Sequence, residues 1–241
     1  MMKFTDSFVL KIWLFSLLLL IPALVSATTI VWNTQGYSTD VANGFLSLDE
    51  LRSSTTHTYI NVGGGNFDIK VTTSAFMEHS TGDLNYTAPN SSLKFEFFAT
   101  GTTNPVAVTG FFINWLDLDN NKTAGPFRIV DVNGISSILN TSSSYFTLGS
   151  SISTVDLDGT NGVSPDGLKS SSSGNWDNSN ISFTTSLPIQ SFVLTKTTDW
   201  IAPTGTCNVT IIPEPATFFL LGTGLLGIIA YGWRRKQKLV K

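Results

Sequence analysis

Phe67-Asp68-Ile69-Lys70-Val71 and Leu93-Lys94-Phe95-Glu96-Phe97 alternate apolar and charged side chains without a break. A period of two sends successive side chains to opposite faces of an extended chain, so each stretch reads as a strand with one face buried and one in water. Working outward, similar short runs recur at Ile30 to Trp32, Val106 to Leu118 with a break at Gly110, Phe127 to Val132, Tyr145 to Leu148, Ile181 to Thr184, Phe192 to Lys196 and Val209 to Ile212. Turn chemistry separates them: Gly63-Gly64-Gly65-Asn66, Asn133-Gly134, Asp158-Gly159, Asp166-Gly167 and a Ser170 to Gly174 tract. No long stretch of helical period competes. The pattern predicts an all-β domain over residues 28–212, an antiparallel β-sandwich or jelly roll, long enough for a single two-sheet core.

Charge is scarce, at 13% of the 241 residues against about 25% in ordinary globular domains. Between Thr28 and Ile212 fifteen acidic residues face seven basic ones, a net charge of −8. That acidic body excludes nucleic-acid binding through a phosphate-neutralising patch and fits cations or neutral glycans better. Cys207 is the single cysteine, so no intramolecular disulfide staples the domain, and it reads as a small buried hydrophobe.

Apolar blocks flank this middle. Lys3 and Lys11 precede the run Ile12 to Ile21, Pro22 breaks it, and Val25-Ser26-Ala27 supplies small residues. These are the parts of a signal peptide, residues 1–27, cut after Ala27. At the other end, residues 213–241 begin with Pro213, Glu214 and Pro215, continue uncharged from Ala216 to Trp233, and finish with the basic cluster Arg234, Arg235, Lys236 and Lys238. Eighteen helical residues reach about 27 Å, enough to cross a hydrocarbon layer, with Tyr231 and Trp233 at its boundary and the cations on the cytoplasmic side. Gly222-Thr223-Gly224-Leu225-Leu226-Gly227 spells a dinucleotide fingerprint, but within a membrane helix it lacks the preceding strand and following acidic residue which that motif needs.

The three-part tail of Ile212-Pro213-Glu214-Pro215-Ala216-Thr217, an apolar helix with Gly-Thr-Gly-Leu-Leu-Gly, and Gly232-Trp233-Arg234-Arg235-Lys236 resembles the PEP-CTERM sorting signal of Gram-negative bacteria. It departs from the commoner pattern in having Ile212 where valine usually stands. The resemblance implies a membrane protease partner, an exosortase, which processes the tail, and a mature protein at the cell surface or in an exopolysaccharide matrix or biofilm. Whether the tail is removed or kept is open: removal leaves no span, as in other signals of this design, and retention leaves a single-pass anchor. The middle loosely resembles the β outer domains (of choice-of-anchor type) found with this tail, through Leu93 to Phe98, Asn104-Pro105-Val106 and Phe111 to Asp119.

Candidate chemistry is thin. Asp117, Asp119 and Asn121 place oxygens at alternate positions as a calcium loop does, and Asp156-Leu157-Asp158-Gly159-Thr160-Asn161 repeats the idea. The twelfth loop positions hold Arg128 and Gly167 instead of glutamate, so neither is an EF-hand, and a solvated turn competes with a calcium site at both. Trp176, after the serine tract, is the candidate for stacking on a glycan, whereas Trp115 shares a face with Phe111 and Ile113 and belongs to the core. His57 and His79 are the only histidines, which excludes a three-histidine zinc site and reads as surface polarity. There is no nucleophile elbow, and no carboxylate pair is singled out by spacing. Six Asn-x-Ser/Thr sequons follow from the Asn, Ser and Thr content.

The sequence thus predicts a non-enzymatic exported protein with no certain cofactor, calcium aside. Its precursor is anchored in the inner membrane by the C-terminal helix, and it associates with exopolysaccharide. The alternatives are an extracellular carbohydrate-active hydrolase using carboxylates around Asp117 and Asp156, and a single-pass anchored binding module such as a receptor ectodomain.

Overall fold

The computed structural model describes residues 27–32, 41–46, 48–75, 77–80, 83–86, 90–118, 121–140, 143–157, 159, 165–171, 178–196, 202–212, 222 and 224–228. The described residues are mostly β. Its first strands are β1 (Ala27–Trp32), β2 (Phe45–Leu46), β3 (Thr56–Tyr59), β4 (Phe67–Thr73), β5 (Met77–Ser80), β6 (Asp83–Tyr86), β7 (Ser92–Ala99), β8 (Ala107–Thr109) and β9 (Phe112–Asp117). There follow β10 (Thr123–Ala124), β11 (Phe127–Asp131), β12 (Ser136–Leu139), β13 (Phe146–Leu148), β14 (Ile152–Val155), β15 (Gly167–Ser170), β16 (Asn180–Thr184), β17 (Ile189–Thr195) and β18 (Ala202–Ile212). Thirteen of them form one curled, almost wholly antiparallel sheet; β10-β15-β14 and β5-β6 form two small ones.

The two stretches that open the sequence reading pair with each other, Val71 opposite Phe95 and Lys70 opposite Glu96. Ile69, Val71, Phe95 and Phe97 are fully buried. On the other face, Lys94 Nζ lies 2.6 Å and Lys70 Nζ 3.7 Å from the Glu96 carboxylate. These half-buried ion pairs, still in contact with solvent, contribute about 1 kcal/mol or less. Asp68 departs from the alternation: it is buried, because its carboxylate accepts the Asn61 N–H at 2.8 Å and the Gly101 N–H at 2.9 Å, tying together the β3–β4 and β7–β8 loops. Asp68→Ala leaves both amides without their acceptor and is expected to destabilise the protein by roughly 2–4 kcal/mol, measured by urea unfolding.

The break expected at Gly110 is where the sheet divides. Gly110 has φ +72°, and β8 and β9 on either side of it keep one register against β18, Val108 opposite Ile211 and Trp115 opposite Thr204. β9 adds β16 and β13, whereas β8 meets β17 at Val108–Ile189, and β17 leads on to β7, β4 and β3. Phe111 fills the junction, with ring centroids 5.6 Å from Phe95, 5.5 Å from Phe97 and 5.6 Å from Phe192. Phe183 of β16 stacks on Phe192 of β17 at 4.2 Å, joining the two halves of the core.

The Asp166-Gly167 turn expected from the sequence is instead the entry to β15. Asp166 is buried and accepts the Leu157 N–H at 2.8 Å. A Cβ at Gly167 would come within 2.4 Å of Leu157 Cγ, so glycine serves close approach here and not a turn.

Candidate functional site

The sorting tail leaves the body from β18. This strand is bonded on both edges: to β1 from Ala27–Thr210 to Trp32–Gly205 on one, and to β8 through Thr210–Thr109, Ile211–Val108 and Ile212–Ala107 on the other. β1 begins at Ala27 and β18 ends at Ile212, so the segments before and after them depart from neighbouring strands at one end of the sheet. The signal-peptide residues 1–26, the motif Pro213, Glu214 and Pro215, and the basic cluster from Arg234 lie outside the described residues. Of the apolar run Ala216 to Trp233, residues 222 and 224–228 are described; they are helical, with Leu226 67% and Ile228 71% exposed. Added Cβ atoms at Gly222, Gly224 and Gly227 would meet nothing within 4 Å, so the glycines of the dinucleotide-like motif line no cradle. Among the described residues no helix is long and apolar enough to cross a membrane.

At the far end of the body sit the two acidic turns. Asp117 ends β9, opposite Asn180 and Ala202; Asn121 is exposed with φ +63°, and Asp119 lies outside the described residues. The small sheet separates this turn from the second. Ser170 N donates to the carbonyl of Lys122 at one end of β15, while Val155, next to Asp156, pairs with Gly167 at the other. Three residues of strand put roughly 10 Å between them. The Asp156 carboxylate accepts the N–H of Gly159, three residues on, at 2.7 Å, a local bond within the loop. Among the described residues no group of three His, Cys, Asp or Glu side chains is placed to hold a metal. Among the described residues the two turns are thus set apart by the small sheet, while Asp119, Asp158, Asn161 and the side chain of Asp117 lie outside the described residues. Trp176, the glycan-stacking candidate, lies outside the described residues, as do the side chains of Trp115, His79 and Cys207.

Among the described residues, Glu50, His57 and Tyr59 form a titratable cluster that the sequence did not single out. Tyr59 Oη donates to Glu50 Oε2 at 2.8 Å, His57 Nε2 lies 3.9 Å from Glu50 Oε1, and the His57 ring meets Tyr59 edge-on at 4.6 Å. Only the i, i+2 spacing of His57 and Tyr59 on one strand face hinted at it. Burial, and then the adjacent Glu50 carboxylate, hold the Tyr59 phenol well above its usual value. The folded state thus keeps a proton that the unfolded state releases above about pH 10. The stabilisation is complete below that pH and falls as pH rises further. Tyr59→Phe is expected to flatten the alkaline limb of stability against pH, followed by thermal melting between pH 8 and 11. The Tyr59–Glu50 bond anchors the chain between Glu50 and β3.

The two ends thus differ in kind. One holds the acidic turns at Asp117 and Asp156; the other delivers the chain from a central strand into a Pro-Glu-Pro, apolar and basic tail. That second arrangement defines an exported β protein addressed through its C-terminus. Comparison with family models makes it specific: residues 212–236 match the PEP-CTERM protein-sorting motif, starting on the last residue of β18. The motif marks an exported protein sorted by exosortase, a membrane enzyme. No curated protein and no solved structure matches the chain.

Proposed function

We propose that this chain is a non-enzymatic surface protein. Its precursor is held in the inner membrane by the run Ala216 to Trp233 and is then released by exosortase to the cell surface or the exopolysaccharide matrix. In this reading the curled sheet acts as a two-layer sandwich whose loops, Trp176 among them, contact polysaccharide. The observation that carries the reading is the coincidence of Ile212 as the last residue of β18 and the first of the sorting motif. A protease acting beyond Ile212 would then leave every strand of the body intact.

Intact-mass spectrometry of the protein from a bacterium with and without its exosortase tests the sorting half. Loss of the tail is expected with the enzyme and a retained tail without it, while Pro213→Ala, Glu214→Ala and Pro215→Ala together should reproduce the retained tail. The same tail state in all three cases, once the masses of the substitutions are allowed for, would sink the proposal. Retention of the mature protein on the native exopolysaccharide tests the other half, and passage straight through such a column removes it.

A further inference from the structure

We infer that the end of the sheet from which the tail leaves is a membrane-resting surface: its exposed apolar loops lie against the lipid bilayer that holds the tail. The inference rests on the reading of Ala216 to Trp233 as a membrane anchor. The register fixes which loops share this end. Tyr59 opposite Ile69, Ile69 opposite Phe97, and Asp131 opposite Ile189 bring together the end of β3, the starts of β4 and β17, and the ends of β7 and β11. The Phe98–Pro105 bridge and the bond from Val106 N to the Phe97 carbonyl set the start of β8 beside them, and Ala107 of β8 pairs with Ile212.

Four of the five exposed large hydrophobics of the described body are on these loops: Ile60 (61% exposed), Val132 (41%), Ile135 (62%) and Leu187 (61%). A soluble end would bury or replace such side chains; grouped on loop tips, they match the shallow apolar contacts of proteins that lie on an interface. Charge is distributed to suit. Residues 60–66, 100–105, 132–135 and 185–188 contain no charged side chain. Asp131, beside them, turns its carboxylate to the amides of Asn133 and Ile135 at 2.8 and 3.1 Å. The opposite end carries Lys122, Asp156, Asp166 and Lys169 on and around the small sheet.

Tether length commits the surface to lipid. Only Pro213, Glu214 and Pro215 separate Ile212 from the uncharged run, a reach of roughly 10 Å even when extended. An anchored body can therefore present little but this end to the bilayer. The far end stands about a strand length away, roughly 25 Å for the eight residues of β7.

The test uses the full chain in vesicles of phosphatidylethanolamine and phosphatidylglycerol, with a photo-crosslinking p-benzoylphenylalanine replacing Ile135, Leu187 or, at the far end, the exposed Thr154 of β14. All three replaced side chains are at least partly in solvent, so folding is retained, and circular dichroism verifies it. Flotation with the vesicles, together with lipid adducts at Ile135 and Leu187 roughly tenfold above those at Thr154, is the expected result. Flotation with equal adduct yields, or crosslinks from Ile135 to a second copy of the chain in place of lipid, overturns the membrane-resting surface while leaving the anchor reading intact. Failure to float overturns the anchor reading and this inference with it.

Discussion

Phe111→Ala is expected to lower the melting temperature of the protein by roughly 10 °C, from a loss of about 3–5 kcal/mol in a domain of this size. The size of the effect follows from position. Phe111 is fully buried and follows Gly110, where the β8–β9 strand passes from the β17 side of the sheet to the β16 side. Its ring touches Phe95 and Phe97 of β7, Phe192 of β17 and, at 6.5 Å, Phe183 of β16. Removing it opens a cavity whose walls belong to strands held in register by other pairs, so the site collapses poorly. Phe112→Ala, one residue along and only partly buried, is the control, with a loss of well under half as much. Differential scanning calorimetry of the two variants decides the matter. Equal shifts would mean that the aromatic junction does not join the two halves of the core.

That junction was half legible in the sequence. A run from Val106 to Leu118 interrupted by glycine predicts a broken strand, and the structure breaks it there. Periodicity cannot say that the two pieces keep one register against β18 while taking different partners on their other edge, since that is a property of long-range pairing. Strands with an alternating apolar face, such as β4 and β7, were read almost to the residue. Those missed are polar or short: β3 is Thr-His-Thr-Tyr and β12 is Ser-Ser-Ile-Leu, with residues 136–138 exposed. They are held by ladder bonds to a better-patterned neighbour and need little burial of their own. β18 begins seven residues earlier than Val209 because Pro203 and Gly205 read as breakers; Pro203 is the second residue of the strand, where a missing donor is tolerated. The sorting motif was legible because it is a local, ordered pattern. The buried Asp68 and the Glu50–Tyr59 bond were not, because their partners come from distant loops or from geometry that composition does not encode.

The order of synthesis gives β18 a second role, and a pair of truncations exposes it. A chain ended after Ile212 is expected to melt cooperatively within a few degrees of the full chain, whereas one ended after Thr204 is expected not to fold at all. The first loses only the tail, whose described helical residues expose Leu226 and Ile228 and lie outside the core cluster. The second loses every pair to β1, six of them, and the three to β8, leaving β1 paired only with β2 and β8 only with β17, each with one open edge. At about 1 kcal/mol net per ladder bond, and with the burial of Ile30 opposite Cys207 also forfeited, the loss rivals the whole stability of a typical domain. Far-ultraviolet dichroism and urea titration distinguish the two chains, and a folded Thr204 truncation would refute the central place given to β18. The consequence for export is physical: the sheet cannot close until the residues just ahead of the sorting motif have crossed. In the function proposed above, a tail that holds the precursor at the membrane would keep the last strand beside β1 and β8 while they pair. On that proposal, cleavage beyond Ile212 would release a body whose described strands are already complete.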